Sequence, residues 1–493
     1  QRPPPALLPT SSRRRQVPTF GAMDFDDLDC QQGCRLYDIC VYGATGITGA
    51  LICEHIDSLV ASGQCDKKWC MAGRNEEKLK KAAKNCKSDP ATMCCTEPDH
   101  LMYMAEVSSV IIAAAGPYLL LGEDVVKACV AKNTHYLDVT GEIVYNRRLI
   151  DKYHEEAKEK GVMITVMVGF MSACSDWNLY RLRQELGPLK VSKEFMFQGA
   201  AVRGGGSFMS GFSQFEHMRT DEPPLLIDPF SLGGVRKCGP RPEDQDKKDA
   251  YQDEAFPSVW CSTGFVGHPS VRVSRRSCEL FENSAVDPIN FGEELVVSIC
   301  DCVTGQGQAK LNAQMAKPPE DMRKIISNAA AMETGLMTGT GGRPGYGAPR
   351  ETRALSRSEV ITVAQGENGE WATSHFNGPE GYEFTAIAVV CGALVFLDEA
   401  DTVNAAERGG VVTPAFAFHN TQWAQLCEAN SWGCLGGKKA IWTMTKGKMS
   451  DKDFEACAKK IDEENKVFSK KMMTGEWATC ELPELVTGRH LKK

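Results

Sequence analysis

The chain has 493 residues, 42% of them hydrophobic and 24% charged, which is the composition of a globular protein with two or three domains. Its net charge of −8 excludes a dedicated nucleic-acid-binding protein, because such a protein usually carries a basic face. A membrane span needs about 18–20 apolar residues; none is predicted, and the longest apolar stretch, Phe384–Leu397, predicts a buried core helix.

The N-terminal segment has a distinct composition. Residues 1–22 contain four arginines and no acidic residue, which is typical of organelle transit segments. We therefore expect a plastid or mitochondrial protein, with a basic arm and linker at residues 1–35. The arm and the C-terminal extension are expected to dock on a larger protein complex. For the segment, the alternative is a disordered basic tail. For the localisation, the alternative is a cytoplasmic protein whose arm packs on its own surface.

The cysteines indicate free thiols. There are 21 of them, with no CxxC pair and no HExxH motif in the sequence. Disulfide frameworks belong to short secreted chains, so these residues suit a reducing compartment. The close pairs lack the spacing of zinc ligands, and no metal site is predicted. These pairs are Cys30/Cys34, Cys94/Cys95 and Cys300/Cys302.

Apolar runs alternate with helical patterns from residue 36 to residue 175. This alternation predicts an α/β domain with a doubly wound parallel sheet, a Rossmann domain. The predicted strands are 36–43, 67–73, 107–115, 135–139 and 162–168, and the predicted helices are 47–62, 76–85, 123–132 and 149–160.

The run GATGITG lies between the first predicted strand and the first predicted helix. Gly43 permits a tight turn, Gly46 lets the backbone approach a pyrophosphate, and Gly49 allows the helix to pack closely on the strand. Free N–H groups at the start of the helix then bind the anion. The loop predicts dinucleotide binding by Gly43, Thr45, Gly46, Ile47, Thr48 and Gly49.

The residue after the second strand selects the cofactor. Domains that prefer NAD place Asp or Glu there, whereas this strand is followed by Arg74. A guanidinium suits a 2′-phosphate through a bidentate, charge-assisted contact. The sequence therefore predicts NADP(H) in preference to NAD(H). A solvated arginine on a loop is the alternative.

Later strands supply the rest of the predicted site, because ligands bind beyond the carboxyl ends of the strands in open α/β sheets. Gly116 and Pro117 follow one buried strand, and this glycine would let the ribose approach the backbone. Tyr118 and Glu142 lie at the same rim and are the candidate proton-transfer residues. The alternative is that both only shape the pocket.

The second half of the chain has a different sequence pattern. Residues 176–430 predict an α+β domain with a mixed sheet, and alternating stretches such as Val271–Val273 contribute to that reading. Gly335–Thr352 reads as a glycine-rich loop. Residues 431–493 form a C-terminal extension, in which Asp451–Met472 predicts a docked, charged helix.

Taken together, these motifs resemble the saccharopine dehydrogenase-like oxidoreductase family. The resemblance extends from about Tyr37 to Glu428 and rests on the runs YDICVYGATGITG, MAGRNEEKL, AAGPYLLLGEDVVKACV, THYLDVTGE, KGVMITVMVGFMSACSDW, GFVGHPSVRVSRRS, GPEGYEFTAIAVV and GGVVTPAFAF. It implies a second domain with a mixed sheet and a GYEFTAIAVV helix that packs back near the cofactor domain. FMSACSDW departs from the family pattern, which has an acidic residue and a proline there, and the tail after Asn430 has no counterpart.

Three functions are compatible with these features. The first is an NADP(H)-dependent oxidoreductase of the saccharopine dehydrogenase-like class, acting on a small molecule or an acyl chain. The second is a non-catalytic, nucleotide-binding accessory subunit of a larger organellar complex. The third is an enoyl reductase that acts on lipid chains, as some relatives in the family do.

Overall fold

The computed structural model describes residues 35–198, 204–218, 224–234, 239–315, 345–405, 408–433 and 437–474. The N-terminal arm, most of the glycine-rich segment 335–352 and the end of the C-terminal extension lie outside the described residues.

The first sheet has seven strands, all of whose described pairings are parallel, in the order β13-β6-β5-β4-β1-β2-β3. Its first six strands follow the Rossmann arrangement, which confirms the predicted fold. The seventh comes from far down the chain. The strands are β1 (Tyr37–Tyr42), β2 (Trp69–Gly73), β3 (Ala91–Cys94), β4 (Ser108–Ala113), β5 (His135–Asp138), β6 (Met163–Thr165) and β13 (Gly410–Val412).

Helices connect the parallel strands of this domain. Their starts follow local sequence rules: the Asn75 side chain accepts a hydrogen bond from the Lys78 N–H at the start of the second helix, and Glu97 and His100 form a capping box at the start of the third. The helices are α1 (Ile47–Ala61), α2 (Glu76–Ala83), α3 (Pro98–Val107), α4 (Tyr118–Leu121), α5 (Glu123–Ala131) and α6 (Ile143–Glu159).

The second sheet is mixed, as predicted. Its order is β14-β12-β11-β7-β10-β9-β8, and β7 and β10 are its parallel pair. The segment after residue 431 supplies an edge strand of this sheet, β14. The strands are β7 (Leu189–Gln198), β8 (Tyr251–Asp253), β9 (Phe256–Ser262), β10 (Val296–Val303), β11 (Ser358–Gly366), β12 (Trp371–Gly378) and β14 (Ile441–Lys446).

Helices cover both faces of the second sheet. The inner face packs against α7 and α10, and the outer face packs against α17, the predicted charged helix. The helices are α7 (Phe170–Leu186), α8 (Gly205–Met218), α9 (Pro224–Ile227), α10 (Gly264–Glu282), α11 (Gln306–Met315), α12 (Arg350–Leu355), α13 (Gly381–Asp398), α14 (Ala400–Ala405), α15 (Pro414–Phe418), α16 (Trp423–Ala429) and α17 (Asp451–Met473).

One prediction for this half is wrong: Val271–Val273 lies inside α10 and not in a strand. The alternation misleads because Arg272 does not face solvent. Its side chain is fully buried and donates to the carbonyls of His268 and Leu226, and it pairs with Asp246. A polar residue between two valines therefore does not mark an outward face here.

The long apolar helix α13 joins the two domains. It packs against α1, β4 and β5 of the first domain and against α7 of the second, so the resemblance placed it correctly. By length and composition it is the one helix among the described residues that could cross a membrane, but 78% of its apolar window is buried inside the protein. It is the predicted core helix.

Candidate functional site

The three glycines of the β1–α1 loop are present for different structural reasons. Gly43 has φ +85°, and a Cβ there would lie 2.8 Å from the Ala114 carbonyl carbon. A Cβ on Gly49 would lie 2.1 Å from the Gly43 oxygen. A Cβ on Gly46 would meet that oxygen at 3.5 Å, an ordinary contact. The protein itself therefore requires glycine at 43 and 49 but not at 46, where the predicted approach of a pyrophosphate is the remaining reason for a glycine.

The first turn of α1 is arranged to bind an anion. Gly46 is its N-cap residue, has extended backbone and offers no side chain to the helix N–H groups. The first N–H groups of a helix have no partner within the helix, and the helix dipole favours negative charge there. Thr45, Ile47 and Thr48 surround this turn. The loop therefore fits the pyrophosphate of a dinucleotide.

Arg74 directly follows β2 and is exposed. Because β2 pairs with β1, Arg74 and the glycine loop leave the sheet at the same edge and on neighbouring strands. The side chain of the next residue, Asn75, is occupied as the cap of α2. A guanidinium suits the 2′-phosphate of an adenosine ribose, and the role of Arg74 as its ligand stays a prediction.

A half-open cleft with an empty volume of about 1210 Å³ lies beyond the carboxyl ends of the Rossmann strands. The first domain contributes Thr48, Ala114, Gly116, Tyr118, Val139, Thr140, Gly141 and Met167. The second contributes residues of α7, α8 and α13 and of the segment leading into β11. A cleft at this edge, between a cofactor domain and a second domain, is the common location for a dinucleotide and its substrate.

Tyr118 and Glu142 both form hydrogen bonds inside the protein that hold the start of α4 in place. The Glu142 carboxylate accepts hydrogen bonds from the backbone N–H groups of Tyr118 and Leu119, at 2.8 and 2.7 Å, and so caps α4, whose N-cap residue is Pro117. The Tyr118 hydroxyl donates to the Ala113 carbonyl at 2.9 Å. Burial raises the pKa of both side chains. Their catalytic assignment stays a prediction.

Asp138, at the end of β5, is also engaged. Its carboxylate accepts hydrogen bonds from the N–H groups of Thr140 and Met167 and from the Tyr136 hydroxyl. Burial raises its pKa to about 7. These bonds hold the loops after β5 and β6, which carry cleft residues.

A cluster of hydrogen-bonding groups that was not predicted from the sequence lies on the side of the cleft formed by the second domain. The Tyr382 hydroxyl accepts a hydrogen bond from the Gly204 N–H at 2.7 Å and lies 2.8 Å from the Ser207 hydroxyl. Tyr382 is the second residue of α13, and Gly204 and Ser207 lie at the start of α8. The two helix N-termini therefore meet in the cleft, with a phenol between them.

Glu380 fixes the start of α13. Its carboxylate accepts hydrogen bonds from the N–H groups of Tyr382 and Glu383, at 2.8 and 3.2 Å. Burial, followed by the nearby Glu383 carboxylate, raises its pKa to about 7. The signal in the sequence was the acidic residue before a long apolar helix in GPEGYEF, a typical helix start. This helix-start signal gave no indication that α8 would lie opposite the start of α13.

This geometry is that of a dinucleotide-binding Rossmann domain beside a cleft, and the comparisons agree with it. Residues 39–165 match the family model of the saccharopine dehydrogenase NADP binding domain. The chain is therefore similar to the saccharopine dehydrogenase-like oxidoreductases, and its first domain binds NADP.

Relatives match over most of their length. A trans-acting enoyl reductase of Mycobacterium tuberculosis is 27% identical over 432 residues, which cover 80% of this chain and 96% of the relative. One from Mycobacterium leprae is 25% identical and has the same coverage. Apo saccharopine dehydrogenase (L-Glu forming) from Saccharomyces cerevisiae, a solved structure, is 12% identical, with a TM-score of 0.44 over 83% of this chain and all of that one.

Proposed function

We propose that the protein uses NADPH to reduce the carbon–carbon double bond of an α,β-unsaturated acyl group, with Tyr382 as the proton donor. The composition of the cleft carries this proposal. Glu380 is the only Asp, Glu, Lys, Arg or His among the described residues that line it.

This lining is poorly suited to an amino-acid substrate. The carboxylates of saccharopine or of a 2-oxo acid would need cationic partners, and arginine is the usual one. The described lining instead combines hydroxyl groups with apolar side chains, including Met167, Phe170 and Met171. An acyl chain buries apolar surface against such a wall, and its carbonyl needs only neutral hydrogen-bond donors. The mycobacterial relatives named enoyl reductases support the same substrate class.

The glycine loop and Arg74 would hold NADPH, which when bound supplies a hydride to the β-carbon of the substrate. The π electrons of the double bond then shift toward the carbonyl group. The Tyr382 hydroxyl transfers its proton to the α-carbon, which leaves a saturated acyl group and NADP⁺.

The structure stabilises the phenolate left on Tyr382. It lies at the N-terminal end of α8, receives the Gly204 N–H and can receive the Ser207 hydroxyl proton. Both groups, together with the helix dipole, favour negative charge on the phenol oxygen. Solvent entering the open cleft returns the proton.

A substrate panel tests the substrate class. NADPH oxidation is measured with trans-2-enoyl thioesters of increasing chain length and, separately, with 2-oxo acids in the presence of ammonia. NADP⁺ reduction is measured with saccharopine. We expect turnover with the enoyl thioesters and kcat/KM that rises with chain length. Turnover confined to saccharopine or to 2-oxo acids would refute the proposal.

The Tyr382→Phe substitution tests the proton donor. General acid catalysis contributes about 10²–10⁴-fold, so we expect kcat to fall by about a hundredfold or more, with the NADPH dissociation constant unchanged. Tyr153→Phe, on α6 and outside the described cleft lining, is the matched control and should keep full activity. Equal rates for both variants would remove Tyr382 from the mechanism.

The finer assignments, residence in an organelle and docking on a larger complex, remain proposals supported by the composition of residues 1–22. Import of a reporter protein carrying this arm into isolated plastids or mitochondria tests the first. Native-gel migration of the chain with and without the arm tests the second.

A further inference from the structure

Three cysteines converge on the outer face of the second sheet, away from the cleft. Cys261 on β9 lies directly opposite Cys302 on the antiparallel strand β10. Cys300 precedes Cys302 by two residues, so its side chain lies on the same face of the sheet. All three side chains are buried in one apolar cluster with Phe454 of α17. We call this arrangement the thiol cluster. Cys261 and Cys302 are 41 positions apart in the chain, so no spacing motif in the sequence reveals the cluster.

The sulfur positions are close to those of a metal ligand set. The Sγ atoms of Cys261 and Cys302 are 3.6 Å apart, as are those of Cys300 and Cys302, and all three atoms lie within 4.8 Å of one another. Zinc–sulfur bonds of about 2.3 Å place sulfurs about 3.8 Å apart in a tetrahedral site and about 4.0 Å apart in a trigonal one. Shifts of a few tenths of an ångström would therefore convert the cluster into a three-sulfur site.

We infer that the thiol cluster of Cys261, Cys300 and Cys302 binds one thiophilic divalent cation of the zinc class. Thiolate donors select soft or borderline ions such as zinc, cadmium and copper(I). Three thiolates around a divalent ion leave a net charge of −1, whereas copper(I) would leave −2. The smaller buried charge favours the divalent ion, because uncompensated charge is costly in an apolar interior.

The neighbours of the cluster suit a buried site with negative charge. Tyr251 on β8 lies opposite Cys261 and packs against the same apolar cluster, and the Lys247 ammonium lies 3.6 Å from the centre of the Tyr251 ring. Such contacts orient a ligand and offset its negative charge.

Such a site would hold the outer layer of the second domain together. The thiol cluster joins β9 to β10, and α17 packs over these strands. A bound ion would link the two strands under the helix and so protect the C-terminal layer from local opening. This role is independent of the proposed reductase activity, because the cleft lies on the other side of the sheet.

Cadmium binding by the metal-depleted full chain tests the inference. The probe is Cd²⁺, followed by its thiolate charge-transfer absorption and by the number of equivalents that remain after gel filtration. We expect wild type to retain one equivalent more than Cys302→Ala or Cys261→Ala. Cys129→Ala, which removes a buried thiol of the first domain, should match wild type. Equal binding by wild type and the two cluster variants would overturn the inference.

A second measurement needs no variant. X-ray absorption of the Zn²⁺-loaded wild-type protein should show three sulfur neighbours at about 2.3 Å, and the metal should raise the melting temperature. A coordination shell made of oxygen and nitrogen, or no retained zinc, would contradict the assignment even if the alanine variants fail to fold.

Discussion

The cleft has two walls: the cofactor wall, formed by the first domain, and the facing wall, formed by the second domain. The two walls differ in how the chain brings their residues together. The cofactor wall is made of consecutive strand–loop–helix units, and its main contributions are backbone N–H groups and the absence of side chains at Gly43, Gly46 and Gly49. The facing wall joins the N-termini of α7, α8 and α13, which begin at residues 170, 205 and 381. Its main contributions are hydroxyl groups and apolar side chains, with Glu380 as the one carboxylate among the described lining residues.

This difference has a chemical reason. A pyrophosphate is the same in every dinucleotide, so a fixed loop of backbone donors can bind it. A substrate varies, and a wall built from side chains on separate helices can change without altering the sheet. Substitutions on the first wall should therefore affect binding of the cofactor, and those on the second should affect chemistry or the stability of the packing behind it.

The largest expected effect is on the cofactor wall. In Gly46→Val the side chain would occupy the space that a pyrophosphate needs, while the protein itself tolerates a Cβ there. We expect NADPH affinity to fall about a thousandfold or more, which is about 4 kcal/mol, with little change in melting temperature. Calorimetric titration and thermal unfolding measure the two quantities. Unchanged affinity in a folded variant would show that the loop is only a structural turn.

The next effect lies behind the facing wall, at Glu194 on β7. This buried carboxylate accepts hydrogen bonds from the hydroxyls of Ser175 on α7 and Thr362 on β11, and burial raises its pKa from 4.5 to about 7. Between these two pH values the folded protein holds a proton that the unfolded chain releases. The free energy of unfolding therefore falls as pH rises through this window, by on the order of 3 kcal/mol.

Glu194→Gln should remove that dependence, because the amide does not ionise. Denaturant unfolding at pH 5 and pH 8 should show variant and wild type close together at pH 5 and the variant more stable at pH 8. Glu185→Gln, at an exposed position on α7, is the control and should follow wild type. A variant as pH-sensitive as wild type would mean that Glu194 is ionised in the folded protein.

The same two walls explain what could be predicted from the sequence. Most Rossmann strands were predictable because they are short, largely apolar runs between helical patterns, and β1 leads directly into the glycine loop. Strand β3 was not, because Ala91–Cys94 is only half-buried at a sheet edge, and α3 passes into β4 without a break. The facing wall was not predictable either, since the role of Tyr382 depends on a tertiary contact with Gly204, 178 positions away.

A smaller effect is expected at Arg74, where a side chain contributes to the cofactor wall. A hydrogen bond to a charged group contributes about 1.5–3 kcal/mol, so Arg74→Ala should reduce the preference for NADPH over NADH by about ten- to a hundredfold. NADH affinity should hardly change. Titration of both nucleotides against both proteins measures this. A variant that keeps the full preference would show that another residue binds the 2′-phosphate.

The smallest expected effect is at Tyr118, where a substitution distinguishes a structural role from a catalytic one. Its hydroxyl donates to the Ala113 carbonyl inside the protein, so Tyr118→Phe removes one buried hydrogen bond and should cost about 1 kcal/mol of unfolding free energy. Because Tyr382 already provides a hydroxyl at the cleft surface, kcat should stay within about twofold of wild type. A fall in kcat as large as that expected for Tyr382→Phe, without loss of NADPH binding, would instead make Tyr118 the proton donor. The cofactor wall would then supply a catalytic side chain as well as backbone donors.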